Sequence, residues 1–389
     1  MKMIIKSFGA LLAVMMIAGL SFAQNTADVL LDSNQKLTIG GYAQIDYNQE
    51  FSSDTRSNGN LDVHRMVLMF GYRFNEKAQF IAEVEYEHVK EVYVEQAFLN
   101  YRINDWLSFR GGLLLIPMGI INEYHEPTTY NGVERPNLDS NISPTTWREI
   151  GAGFNGRLND LNLKYQVYVV NGFNGYSGSG TLKGSNGFRS GRQKGAESFM
   201  SSPNLAAKVD YYGVPGLKLG LSGYFGNTQS SLYDGMDKSD NLAEAQADSS
   251  VVGISMVGVD AAYSLKGLVL KGQLYHASIS NSDEYNAFTG KDLGSAMFGY
   301  YLEAGYDLLN AKQTDQKLIP FVRYEQYNTH QKTDGITRNL AYDRADVTAG
   351  VGYWLTSGAV LKADMQWMKN ESSGSSTTKQ FNLGIGVWF

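Results

Sequence analysis

The last eleven residues limit what this chain can fold into more than any other segment. Lys379–Phe389 reads K-Q-F-N-L-G-I-G-V-W-F, with Phe381, Leu383, Ile385, Val387 and Phe389 at every second place. Alternate residues of a strand face opposite sides, so this segment carries one wholly apolar face. At a chain end in water such a strand is a hazardous edge. It suits the closing strand of a transmembrane β-barrel, whose outer face meets lipid.

Similar alternation recurs along the chain. Strands are expected over 37–50, 61–74, 78–88, 91–103, 106–116, 148–158, 161–171, 204–212, 217–227, 252–264, 268–278, 296–308, 318–328, 342–356, 359–370 and 379–389. An even number of segments, each near or above the ~9–11 residues of a tilted membrane strand, fits a single-chain barrel. The connections alternate in length. Asn75-Glu76-Lys77, Asn104-Asp105, Asn159-Asp160, Gly213–Gly216, Lys266-Gly267 and Ser357-Gly358 are tight turns of turn-forming residues. Longer segments lie between them, over 51–60, 117–147, 172–203, 228–251, 279–295, 329–341 and 371–378. Short periplasmic turns and long external loops are the habit of such barrels, and this order puts both chain ends in the periplasm.

The faces sort accordingly. Phe80, Ala82, Val84 and Tyr86 alternate with Gln79, Ile81, Glu83, Glu85 and Glu87, and Leu361, Ala363, Met365 and Trp367 alternate with Lys362, Asp364 and Gln366. One residue breaks the pattern: Glu95 shares the expected lipid face of Ala97, Leu99 and Tyr101.

Lys2 and Lys6, the apolar run Phe8–Leu20 and the small-x-small Ser21-Phe22-Ala23 read as a secretory leader cleaved after Ala23. Losing its two lysines takes the net charge from −6 to −8. With no cysteine there is no disulfide framework, and mild acidity argues against nucleic-acid binding. The 25 tyrosines suit membrane interfaces. Residues 24–36 read as a short lead-in, and the Gly/Ser/Asn/Asp-rich loops over 172–202 and 228–250 read as mobile and solvated.

The segment Pro117–Trp147 differs from the other loops. It holds four of the seven prolines and concentrates Glu123, His125, Glu126, Glu134, Arg135 and Asp139, with Arg148 and Glu149 following. A loop of about thirty residues with this much proline and aromatic content is functional more often than not. In a large barrel its available role is to fold inward and narrow the lumen.

Four stretches carry a family resemblance: R-G-G-L-L-L-I-P-M-G at Arg110–Gly119, V-E-R-P at Val133–Pro136, W-R-E-I-G-A-G at Trp147–Gly153, and the terminal Phe389. In these the chain resembles the phosphate-selective porin O and P family of outer-membrane porins. The resemblance implies a sixteen-stranded antiparallel transmembrane barrel, a homotrimer, and assembly by the outer-membrane insertion machinery. It implies that Pro117–Trp147 is the constriction loop, lined by Glu123, His125, Glu126, Glu134, Arg135, Arg148 and Glu149. It further implies lumen arginines and lysines that attract phosphate, with Arg110, Arg135 and Arg148 at matching positions.

Face parity assigns Arg65, Arg73, Arg102, Arg110, Arg157, Lys164, Lys208, Lys218, Lys271, Arg323 and Lys362 to the lumen. It sets Glu83, Glu85, Glu87, Glu149, Asp210, Asp260, Glu303, Asp307, Glu325 and Asp364 beside them. The two sets nearly balance, which weakens any anion-attracting field. No cofactor fingerprint or local metal-ligand spacing is present, so neither a cofactor nor a metal is expected. Tyr124-His125-Glu126 offers an acid–base pair for a barrel hydrolase, although hydrogen bonding within the loop is the preferred reading. The expectation is an outer-membrane channel for passive diffusion of small hydrophilic solutes, anions such as phosphate among them. A saccharide- or peptide-binding channel is the alternative.

Overall fold

A computed structural model of the chain describes residues 26–51 and 55–389, so the expected leader lies outside the described residues. The strands are β1 (Leu37–Phe51), β2 (Asn60–Arg73), β3 (Ala78–Glu87), β4 (Glu91–Arg102), β5 (Ser108–Leu115), β6 (Arg148–Leu158), β7 (Leu163–Val170), β8 (Asn174–Tyr176) and β9 (Asn204–Val214). They continue as β10 (Leu217–Asn227), β11 (Gln229–Ser230), β12 (Gly253–Leu265), β13 (Leu268–Ser280), β14 (Ala296–Tyr306), β15 (Lys317–Lys332), β16 (Asp343–Thr356), β17 (Ala359–Asn370) and β18 (Thr378–Trp388). Sixteen of them close one antiparallel barrel in chain order, while β8 and β11 form a separate two-stranded pair. Every strand expected from the sequence is present.

The seam pairs β1 with β18, Tyr42 opposite Trp388 and Phe51 opposite Lys379. Past the end of β18, Phe389 and Gly41 exchange two backbone hydrogen bonds of 2.9 Å, so the chain end is bonded into the wall. Outside, the barrel is apolar: Leu221, Val259 and Leu302 are 58 %, 51 % and 64 % exposed. An apolar exterior of this extent is covered by lipid, not water.

Glu95 turns inward, which corrects the expected face. The β3–β4 register slips where Glu83 opposes Gln96 but Val84 opposes Val94, leaving Glu95 as the extra residue of a β-bulge. Glu95 and Gln96 therefore both face inward and are buried, while Val94 before them and Leu99 beyond stay outside. Strict alternation cannot reveal a bulge.

The expected lead-in is also structured. It contains helix α1 (Thr26–Asp32), whose Ala27 and Leu30 are buried. At this short-turn end the inner wall carries Val67, Met69, Ile81 and Phe98, which share one buried cluster with those two residues. An apolar patch facing a wet lumen is costly, and α1 covers it. The wall also caps the helix: Arg73 Nη2 donates to the carbonyls of Leu31 (3.3 Å) and Ser33 (2.5 Å), and Gln79 Nε2 donates to Leu31 (2.9 Å).

The loop over 172–203 is packed, contrary to the expectation of a solvated segment, whereas most of 231–249 is exposed as expected. Phe173 stacks on Trp147 with centroids 4.5 Å apart, and Phe188 stacks on Phe173 at 5.4 Å. Leu182 N donates to Tyr285 Oη (3.0 Å), which donates in turn to Gly175 O (2.8 Å). Composition misled here because a few aromatic anchors fix a loop that is otherwise rich in small polar residues.

If the exterior faces lipid, Leu221→Arg near the middle of β10 is expected to destabilise the barrel by about 2–4 kcal/mol. Reversible unfolding from lipid vesicles measures this, and an unchanged free energy would refute the lipid-facing assignment.

Candidate functional site

The segment joining β5 to β6, residues 117–147, runs inside the barrel. Glycines make room for it. At Gly119 (φ 64°) a Cβ would lie 1.7 Å from Tyr275 Oη. On the inner face of β18, a Cβ at Gly384 would meet Val133 at 2.9 Å, and one at Gly386 would meet Pro127 at 2.8 Å. Small residues on the closing strand are thus the seat of the loop.

Irregular backbone needs hydrogen-bond partners wherever water is displaced. The wall supplies them with charged side chains. Lys208 Nζ donates to Gly119 O. Lys271 Nζ donates to Thr129 O (2.5 Å), and Lys362 Nζ donates to the carbonyls of Tyr130 (2.6 Å) and Gly132 (2.7 Å). Carboxylates take the N–H groups: Asp364 accepts from Val133 N (2.6 Å) and Glu325 from Leu138 N (3.1 Å). Side chains add Asn131 to Glu303 (2.8 Å), Asn48 to Glu134 (2.9 Å) and Asn137 to Asp346 (2.8 Å). Tyr130 Oη donates to Gln44 (2.9 Å). These partners come from β1, β9, β13, β14, β15, β16 and β17, so the loop spans the bore.

This placement sorts the residues singled out in the sequence. Arg323 is fully buried, 2.9 Å from Glu325 and 3.4 Å from Glu303, and with Lys362 it belongs to the seat of the loop. Arg65 pairs with Glu85 at 3.3 Å. Arg110 lies over the Phe98 ring at 4.5 Å, and Arg157 and Lys164 oppose each other on β6 and β7 near a short turn. Glu123 accepts from Gln166 (2.6 Å) and lies 3.2 Å from Lys208. Glu126 is buried, and Arg135 Nη2 donates to His125 O (2.8 Å). Glu149 accepts from Trp147 Nε1 (2.8 Å), Gly172 N (3.0 Å) and Tyr224 Oη (3.0 Å).

His125 is locked. Its Nδ1 faces Asn122 O at 3.0 Å and its Nε2 faces Glu95 at 3.1 Å, with Glu83 at 3.6 Å. Burial alone would push the imidazole down, but the Glu95 and Glu83 carboxylates outweigh it and hold it up at about 10. A residue 2 % exposed with both ring nitrogens engaged is poorly placed to act on a solute. Burial pushes Asp139 up to about 8 despite hydrogen bonds from Gln273 and Tyr275.

The loop leaves a vestibule on each side. At the short-turn end lies a cavity of about 430 Å³, lined by Tyr124, Lys218, Lys271, Lys317, Trp354 and Trp388 among others. Towards the long loops a basic cluster forms from Arg135, Arg189, Arg192 and Lys194. Burial and then repulsion from Arg135 hold the Arg189 guanidinium below its ordinary value. Burial and the neighbouring Arg189 and Arg148 bring Arg192 down to about 9, and burial with Arg192 lowers Lys194. Arg192 also donates to Thr146 Oγ1 (2.9 Å), tying the cluster to the end of the 117–147 loop. Sequence reading missed Arg189, Arg192 and Lys194. The available signal was their spacing, three cations within the six residues 189–194, inside a segment taken for solvated loop.

No family model matches the chain. Among solved structures it is similar to the outer-membrane channel DcaP of Acinetobacter baumannii, with TM-score 0.60, 13 % identity, and coverage of 91 % of this chain and 97 % of that one. The anion-selective porin from Comamonas acidovorans gives TM-score 0.56 and 12 % identity over 91 % of this chain and 99 % of that one. Salmonella typhi OmpF, in complex with daunomycin, gives 0.59 and 14 % over 91 % and 97 %. These likenesses carry the barrel fold. In sequence, an uncharacterized protein of Aquifex aeolicus (strain VF5) is 32 % identical over 342 residues, 84 % of this chain and 74 % of that protein. The chain therefore belongs to the family of that Aquifex aeolicus protein, and its fold is the sixteen-stranded barrel of outer-membrane porins.

Proposed function

We propose that this chain is an outer-membrane channel for passive diffusion of small hydrophilic solutes, that it prefers anions such as phosphate, and that the 117–147 loop is its constriction. The long-loop end faces outward and the short-turn end faces the periplasm, as in barrels of this type. The observation that carries the reading is the basic cluster of Arg135, Arg189, Arg192 and Lys194 at the outer vestibule. Lumen carboxylates such as Asp364 and Glu325 are engaged with the loop backbone and Glu303 with Arg323. At this entrance the four cations outnumber their acidic neighbours Glu87 and Glu95. A mainly basic rim concentrates counter-ions before they reach the narrow point. The anion selectivity of the structurally similar Comamonas acidovorans porin points the same way. A cleaved leader, homotrimeric assembly and delivery by the insertion machinery complete the proposal.

The decisive measurement is the reversal potential across a planar bilayer in a salt gradient. Arg189→Glu with Arg192→Glu is expected to cut the anion-to-cation permeability ratio by on the order of tenfold, the lower end of what focused fields achieve. An unchanged ratio would remove the cluster from the path. A saccharide channel, favoured by Tyr124, Trp354 and Trp388 in the short-turn cavity, predicts instead that sugars block the current while phosphate does not.

The loop itself gives a second expectation. Lys362→Met removes the charged donor to two loop carbonyls, a loss of about 1.5–3 kcal/mol per bond. The barrel should still close, but single-channel records should show flicker between conductance levels. A quiet trace identical to the unaltered channel would mean that the loop does not gate the current.

A further inference from the structure

We propose that Glu83, Glu95 and His125, with Tyr42 beside them, form a binding site for a divalent transition-metal ion of the zinc type, which staples the 117–147 loop to the barrel wall.

The geometry is that of a first coordination shell. His125 Nε2 lies 3.1 Å from Glu95 Oε2 and 3.6 Å from Glu83 Oε1. Tyr42 Oη lies 3.2 Å from each of those two oxygens. A tetrahedral ion with bonds of about 2.0–2.2 Å separates its ligand atoms by about 3.3–3.6 Å. Of these four edges one, at 3.6 Å, lies within that range and three, at 3.1–3.2 Å, lie just below it, and the three Glu and His ligand atoms all lie within 4.8 Å of one another. Tyr42 or a water completes four-coordination. One imidazole nitrogen with carboxylate oxygens suits zinc and its neighbours better than calcium or magnesium, which take oxygen shells.

The surroundings are built as an outer shell. His125 Nδ1 is held by Asn122 O at 3.0 Å, which directs Nε2 at the carboxylates. Asn122 is fixed in turn, its Nδ2 donating to Ile116 O (2.8 Å) and Trp147 O (2.9 Å). Gln96 Nε2 donates to the other oxygen of Glu83 at 2.7 Å. The bulge in β4 is what delivers Glu95 to the site and Gln96 to Glu83 together. Glu95 is 0 % exposed, with Arg148 at 3.6 Å from its Oε1 and Glu85 beside it.

Glu83, Glu85 and Glu95 face Arg65 and Arg148, with Tyr42 beside them and Arg192 also acting on Glu95. His125 Nε2 meets Glu83 and Glu95 directly. A zinc-type ion would take the place of that contact and bond all three ligands at once, His125 binding it as the neutral imidazole.

The test uses the folded, full-length barrel in detergent, stripped with EDTA and titrated with zinc chloride in a calorimeter. One zinc per chain and a higher thermal midpoint are expected, with magnesium chloride giving neither. Glu95→Gln and His125→Gln, each checked for the heat-modifiable gel shift of a closed barrel, should weaken zinc binding at least tenfold. A wild-type barrel that takes up no zinc, or a folded Glu95→Gln protein that binds it as tightly as wild type, overturns the proposal. Cobalt(II) loading of the unaltered protein needs no variant: the intense visible bands of four-coordinate cobalt support the site, and their absence overturns it. These readouts involve no current, so they stand apart from the proposed channel.

Discussion

Backbone amides set inside a barrel must find partners, and the interior of this molecule is arranged around that need. A regular strand bonds to its neighbours, but a loop laid across the bore has no ladder. Its carbonyls and N–H groups are met by Lys271, Lys362, Asp364 and Glu325, residues of opposite charge on different strands. The same groups also satisfy one another beneath the loop, as Arg323 does with Glu303 and Glu325. Much of the lumen charge is therefore structural, which explains why acids and bases nearly balance along the wall.

The wall was legible in the sequence because two independent periodicities agreed: side-chain alternation within segments and length alternation between them. All sixteen barrel strands could be read in this way. Glu95 resisted because a bulge inserts one residue and flips parity without changing composition. Helix α1 resisted because its partners, Val67, Met69, Ile81 and Phe98, are visible as an apolar inner patch only once the barrel is closed. The loop over 172–203 was misjudged because Phe173 and Phe188 are two aromatics among many small residues, and they matter only through Trp147.

The candidate site residues were legible as a set but not by role. Parity assigned Arg65, Arg323 and Lys362 to the inner wall, where they are buried, yet it could not separate a residue facing the bore from one facing the loop. His125 stood out through its neighbours Tyr124 and Glu126, whereas its actual companions are Glu83 and Glu95 on distant strands. Contacts between a loop and a wall have no sequence period, so only geometry reveals them.

The glycines at 384 and 386 carry a consequence for assembly. They leave the inner face of the last strand bare between Asn382 and Trp388, and Val133 and Pro127 occupy the space. The first and last strands are the pair whose meeting costs the most chain entropy, since nearly the whole polypeptide lies between them. The loop thus acts as a keystone: the segment laid inside the barrel is also the filling of the joint at which the cylinder closes. A chain from which this segment was removed would at the same time loosen its own closure.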